Sequence, residues 1–96
     1  MAEYRLTPAA LRDLENIWRY THEHWNLEQA EKYLALIDSV FAKLAPAPKA
    51  ALACDSVRKG YRRQNVGRHV IYFRITDYGI AIIRVLHDRM DVIRHI

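Results

Sequence analysis

Ninety-six residues with a formal net charge of +4 suffice for one domain with one modest core and leave no room for a deep substrate chamber. With 51% hydrophobic and 27% charged residues, the chain has the balance of a folded domain, not of a disordered one. No apolar run approaches the roughly 20 residues that span a bilayer, Met1-Ala2-Glu3-Tyr4-Arg5 has no hydrophobic signal segment, and one cysteine, Cys54, excludes an internal disulfide or a cysteine metal cage. A cytoplasmic protein that needs neither membrane nor cofactor is therefore expected, with Cys54 a small inert side chain in a loop.

Tyr4-Arg5-Leu6 is a short extended segment. Thr7-Pro8 then supplies a cap and a first-turn proline, so a helix is predicted from near Pro8. Leu11, Leu14, Trp18, Thr21 and Trp25 step by three and four along it and form one apolar stripe, widened by Ile17. Arg12, Asp13, Glu15, Arg19 and Glu23 fall on the wet side, which makes Asp13 and Glu15 surface acids. Asn26 and Gln29 have the spacing of a capping box and open a second helix. Ala30, Tyr33, Leu34, Ile37, Val40, Phe41 and Leu44 carry its apolar rhythm until Pro46 and Pro48 stop it. The tight connection makes the two helices antiparallel neighbours. Trp18, Trp25, Tyr33 and Phe41 are expected in the core between them and a third layer.

Ala47 to Ser56 has no period and is predicted as a loop or a partial helical turn. Strands follow at Tyr61 to Val66, Arg68 to Thr76 and Ile80 to His87, with Gly67 and Gly79 at the turns. If Tyr4 to Leu6 joins an edge, the sheet has four strands. The fold class is α+β: an antiparallel helical hairpin over one face of a small, mainly antiparallel sheet of three to four strands, as a single domain over residues 1–96.

Charge is uneven. Residues 1 to 57 carry six bases against eight acids, a balance of −2; residues 58 to 96 carry nine against three, a balance of +6. A basic half suits nucleic acid, an acidic protein, or an enzyme that handles nucleic acid. With Asp77-Tyr78-Gly79 as a three-residue loop, Thr76 faces Ile80, Arg74 faces Ile82, Tyr72 faces Arg84 and Val70 faces Leu86. Ile71, Phe73, Ile75, Ala81, Ile83 and Val85 then form the helix-covered face. Val70, Tyr72, Arg74, Ile80, Ile82, Arg84 and Leu86 form the other, too apolar to stay bare, with Arg84 able to stack on Tyr72.

Tyr4-Arg5-Leu6-Thr7-Pro8-Ala9-Ala10, Asp13-Leu14-Glu15-Asn16-Ile17-Trp18, Ala30-Glu31-Lys32-Tyr33, Val66-Gly67-Arg68-His69-Val70-Ile71-Tyr72-Phe73-Arg74 and Arg84-Val85-Leu86-His87-Asp88-Arg89-Met90-Asp91 stand in this order over nearly the whole chain. Together they resemble the ParE branch of the RelE/ParE toxin superfamily. The resemblance implies an intracellular toxin of a type II toxin-antitoxin module, a ParD-like antitoxin whose flexible C-terminal segment folds onto it, and DNA gyrase as the target. Candidate target contacts are Arg74, Arg84, His87, Arg89 and Arg94. Candidate antitoxin anchors are Tyr72, Ile82 and Leu86. Direct nucleic-acid contact is left undecided.

The sister RelE branch cleaves mRNA on the ribosome, and the chemistry can be weighed. Cleavage needs a base, an acid and cations for the phosphate. Arg74, Arg84 and His87 make a minimal set, but the tail Asp88 to Ile96 offers neither tyrosine nor lysine. Binding without bond chemistry is the favoured reading. No metal site is expected, because His22 and His24 point to different sides of their helix and no histidine pair has the spacing of one helix turn.

Overall fold

In the computed structural model, which describes residues 2–96, the chain starts as strand β1 (Glu3–Leu6) and turns at Thr7 into helix α1 (Pro8–His24). Thr7 Oγ1 accepts the Ala10 N–H at 3.1 Å, so the predicted cap is in place. Asn26 Oδ1 takes the Gln29 N–H at 2.8 Å and starts helix α2 (Leu27–Leu44) one residue after Trp25 and Asn26 have turned the chain. A 3-10 turn at Pro48–Ala50 leads to strand β2 (Leu52–Ala53), then β3 (Tyr61–Val66), β4 (His69–Ile75), β5 (Gly79–His87) and a one-turn helix α3 (Val92–His95).

The sheet has five strands in the order β1-β5-β4-β3-β2, with β1 parallel to β5 and the other pairs antiparallel. β2 is the strand the sequence did not announce: two residues of an alanine-rich segment, Leu52 and Ala53, pair with Arg63 and Arg62. So short a strand carries no alternation to read.

The hairpin register is correct at one end and shifted at the other. His69, Val70, Ile71 and Tyr72 face His87, Leu86, Val85 and Arg84, but Phe73 faces Ile82, Arg74 faces Ala81 and Ile75 faces Ile80. The loop is the tighter Asp77-Tyr78, closed by the Thr76 N–H to Gly79 O bond at 2.9 Å, and a bulge takes up the difference by leaving Ile83 without a partner. Gly79 sits at φ +144°, and a Cβ there would collide with the Glu3 backbone, so glycine is what lets β1 lie against β5.

One extra residue inverts the faces of half a strand. Ile80 and Ile82 lie on the helix side, in a core with Ile71, Phe73, Val85, Ile37 and Phe41. Ala81, paired with Arg74, takes the opposite face. The expected placement of Ile82 as an outward anchor, and of Ala81 and Ile83 as core, is corrected by this bulge.

A second correction concerns α1. Its buried residues are Ala10 and Ile17, whereas Leu11, Trp18 and Trp25 are 51%, 38% and 73% exposed. Leu14 stays packed against the core and Ile17 is buried, so the buried face is turned from the expected stripe by about half the 100° that separates neighbouring residues. The small side chain of Ala10 lets the helix approach the sheet, and the rotation brings Thr7 and Asp13 to the edge of β5. Phe41 is buried and Tyr33 partly so, as expected of them.

Candidate functional site

β1 covers only Gly79 to Ile82 of β5, so the rest of β5 runs on without a neighbouring strand on that side. An uncovered strand edge offers polar groups that need partners. α1 supplies them. The Thr7 N–H donates to Ile82 O at 3.1 Å, Thr7 Oγ1 donates to Ile83 O at 2.8 Å, and Asp13 Oδ2 accepts the Val85 N–H at 2.9 Å.

Asp13 also holds Arg84. Nε and Nη2 of the guanidinium each donate at 2.8 Å to the two carboxylate oxygens, a bidentate pair with side-chain exposures of 22% for Arg84 and 11% for Asp13. Nη1 donates to the His95 carbonyl at 2.7 Å. Donating to the Asp13 carboxylate raises the Arg84 pKa against the opposing effect of burial. Asp13 is thus no surface acid. Although Arg84 faces Tyr72 across the strands, its charge is spent on α1 and on the tail, not stacked on the ring.

The other end of the same edge holds histidines. Tyr33 Oη lies 2.6 Å from His69 Nδ1 and accepts the Arg68 N–H at 3.1 Å. The same hydroxyl lies 3.3 Å from Val66 O, to which it can also donate, so the proton of the short contact belongs to the phenol or to Nδ1 according to the His69 tautomer. Gly67 permits this: its φ is +55°, and a Cβ would stand 2.7 Å from the Tyr33 ring. The His69 and His87 rings meet edge to face with centroids 5.4 Å apart. Burial, then the neighbouring His87, lowers the His69 pKa, while burial raises that of Tyr33. His87 Nδ1 faces both the Arg89 N–H and an Asp88 carboxylate oxygen, each at 3.2 Å. The first suits a neutral ring and the second a protonated one.

These groups border a cleft of about 480 Å³ between α1, the end of β5 and the tail, and an adjoining hollow of about 270 Å³ that reaches Trp25 and Arg68. His69, His87 and Thr21 border both.

The remaining predicted residues are spread out. Arg74 is exposed near the hairpin turn, five residues along β4 from His69, which faces His87; that is about 17 Å at the rise of a strand. Arg89 and Arg94 are exposed on the tail, Arg94 Nε lying 3.6 Å from Asp91. Tyr72 and Leu86 do face away from α1 and α2, but they are 5% and 3% exposed, in a second cluster with Val70 and Cys54 beneath Val57, Val92 and Ile96. Tyr72 and Leu86 are covered, as expected of that face, by the tail together with Val57 and Tyr61, although Ile82 is not on it and Arg74 stays exposed. Cys54 is buried there, and burial raises its pKa.

Asp13, Tyr33 and His69 escaped the sequence reading as site residues. Asp13 did leave a signal: three residues after Ala10 and four before Ile17, it is an acid on the inward flank of α1. Among the described residues, no group of three His, Cys, Asp or Glu is placed to hold a metal, and no helix is long and apolar enough to cross a membrane.

The fold and these sites define a small α+β domain whose distinctive features are a basic half, an ion-paired strand edge and a histidine-lined cleft. The family model described as ParE toxin of type II toxin-antitoxin system, parDE, matches residues 4–92, and the chain belongs to that family. It is 42% identical over 96 residues to the Mycobacterium tuberculosis Toxin ParE1, spanning 99% of this chain and 98% of the other. It is 35% identical to Toxin ParE1 of Caulobacter vibrioides, spanning 100% and 99%. Its fold matches a solved chain from the chromosomal ParDE TA system of P. aeruginosa with a TM-score of 0.78 at 21% identity, covering 91% of this chain and 96% of that one. The chain is a ParE-family toxin of a type II toxin-antitoxin system.

Proposed function

We propose that this toxin inhibits DNA gyrase by binding it, without bond chemistry of its own, and that a ParD-like antitoxin in the same cytoplasm neutralises it. Membership of the ParE family is the observation that carries the reading. The geometry supports it in two ways. The minimal nuclease set is dispersed, with Arg84 committed to Asp13 and Arg74 about 17 Å along the sheet from the His69–His87 pair. The exposed cations Arg74, Arg89 and Arg94 are free of such commitments to the core and serve as target contacts, while Arg84 and His87 shape the surface from which the tail departs.

The antitoxin lies on the helical hairpin and its flank. Ile82 belongs to the helix-side core, and Tyr72 and Leu86 lie under the tail, so they act as anchors only if the tail moves. Leu11, Trp18 and Trp25 stand exposed at seven-residue spacing on one side of α1 and are better placed. The solved relative from P. aeruginosa is described as a ParDE system, in keeping with a partner of this type.

The test is a gyrase supercoiling assay with purified toxin. Inhibition that is reversed by the antitoxin is expected; unchanged supercoiling at saturating toxin would refute the gyrase reading. Primer extension on translated mRNA after induction is expected to show no codon-linked cuts.

A further inference from the structure

The cleft at the free end of β5 has a chemistry that the gyrase reading does not use. Its walls are mainly apolar, with Ile17, Val85 and Met90 among them, and its volume of about 480 Å³ lies in the range of real binding sites. Its polar groups gather where the two hollows join. His69 Nδ1 is engaged by Tyr33 Oη, and His87 Nδ1 by the Arg89 N–H and Asp88, which leaves Nε2 of each ring to meet a ligand. Arg68 borders the adjoining hollow. Of the nearby acids, Asp13 is neutralised by Arg84, and Asp88 is half-exposed beside His87. An apolar trough with imidazole and guanidinium donors at one end is complementary to an apolar side chain next to a carboxylate.

We propose that this cleft receives an acidic, apolar-tipped segment of the ParD-like antitoxin, with a carboxylate at His69, His87 and Arg68 and the apolar side chain against Ile17, Val85 and Met90. The inference rests on the antitoxin reading and gives it a place. A nucleic-acid backbone fits less well, because it calls for a row of cations where Arg84 is already paired and the walls are apolar. Trp25 borders the same hollow as Arg68, so the segment continues from the exposed side of α1 into the cleft.

The proposal has a pH signature. The groups facing His69 are Tyr33 from α2, Asp13 from α1, Arg68 beside it, and His87 and Asp88 from β5 and the turn beyond. Those facing His87 are His69, Asp88 and, across the cleft, Tyr20, Arg84 and His95. A carboxylate brought among them stabilises the imidazolium form, so the complex holds more protons than its parts and binds more tightly as pH falls.

Calorimetric titration of the full-length toxin with the purified antitoxin at pH 6 and pH 8 tests this. Each unit by which binding raises a histidine pKa gives at most about a tenfold gain, complete only below the unbound value; with the unbound His69 below its ordinary 6.5, pH 6 shows a several-fold part of it. We expect that gain in the unaltered chain, its loss in His87→Gln and His69→Gln, and about tenfold weaker binding at both pH values in Arg68→Gln. Circular dichroism of each variant confirms folding, and Arg68→Gln spares the backbone bond to Tyr33 if one variant fails. Binding that is independent of pH and unchanged in Arg68→Gln would overturn the cleft while the antitoxin reading stands. Displacement of the antitoxin by a short single-stranded oligonucleotide would overturn it in favour of nucleic acid. No binding by the unaltered toxin would overturn both readings.

Discussion

The two faces of the sheet are closed by different means. The helix side is sealed by two long helices over Ile71, Phe73, Ile80, Ile82 and Val85, with several side chains fully buried. The tail side is sealed by Val92 and Ile96 from a nine-residue tail, with Val57 and Tyr61, over Val70, Tyr72, Leu86 and Cys54. The first closure is cooperative with the fold. The second hangs on a few apolar contacts and on the Arg84 bond to His95 O. Stability belongs mainly to the helix side, and the capacity to change belongs to the tail side.

Truncation of a buried aromatic breaks the first closure. Phe73→Ala is expected to cost about 3 to 5 kcal/mol, because Phe73 is fully buried among side chains of both helices and the sheet. A domain of ordinary stability has only about 5 to 15 kcal/mol in total, so urea unfolding at 25 °C is expected to show a largely lost folding baseline. A cost below about 1 kcal/mol would mean that the core repacks and that the helix side is not the stronger closure.

Arg84→Ala sharpens the link between the two sides. It leaves Asp13 nearly buried without its guanidinium and frees the tail from β5. Breaking a fully buried pair costs about 3 to 5 kcal/mol, and partial exposure reduces this to about 2. The same variant is expected to speed the reaction of Cys54 with a thiol reagent, since Cys54 lies under the tail. An unchanged rate would show that Val92 and Ile96 hold the tail without Arg84.

Much of this division was legible in the sequence, and the exceptions share a cause. The caps at Thr7 and Asn26, both long helices, three of the strands and the edge strand near Tyr4 follow from local rules. The pairing of Tyr72 with Arg84 also came out right, but only because the bulge at Ile83 restores the register that the two-residue turn had shifted. What failed was whatever depended on a non-local choice. The bulge at Ile83 reverses Ile80 and Ile82 where β1 and Thr7 engage that stretch of β5, and the turned face of α1 sets Asp13 against the Val85 N–H. The basic candidates were identified by type, but periodicity cannot tell that Arg84 would find an acid 71 residues away.

A smaller effect separates the faces by pH. His69 has a lowered pKa in the folded chain, chiefly from burial. Above its ordinary value of 6.5 the imidazole is neutral in both states; below it the unfolded chain takes up the proton first. The contribution to stability is therefore complete above pH 6.5 and is lost as pH falls through the folded value. Urea midpoints between pH 7.5 and 5 are expected to decline in the unaltered chain and to decline less in His69→Gln. Equal slopes would assign the acid sensitivity to other groups.

The smallest effect on stability is expected at Arg74, and that makes it the most informative residue for function. It is exposed on the face opposite the helices, opposite Ala81 and Tyr61, close to the hairpin turn. Surface substitutions of this kind stay within about 0.5 kcal/mol, so Arg74→Ala is expected to leave the unfolding midpoint where it was. If the cations of the sheet meet gyrase, the same change is expected to weaken inhibition several-fold, and Arg74→Glu to weaken it further by replacing attraction with repulsion. Arg84→Ala would lose inhibition and stability together, as a residue that holds the fold must. Arg74→Ala tests contact alone, and full inhibition by Arg74→Glu would move the gyrase surface away from the sheet toward Arg89 and Arg94 on the tail.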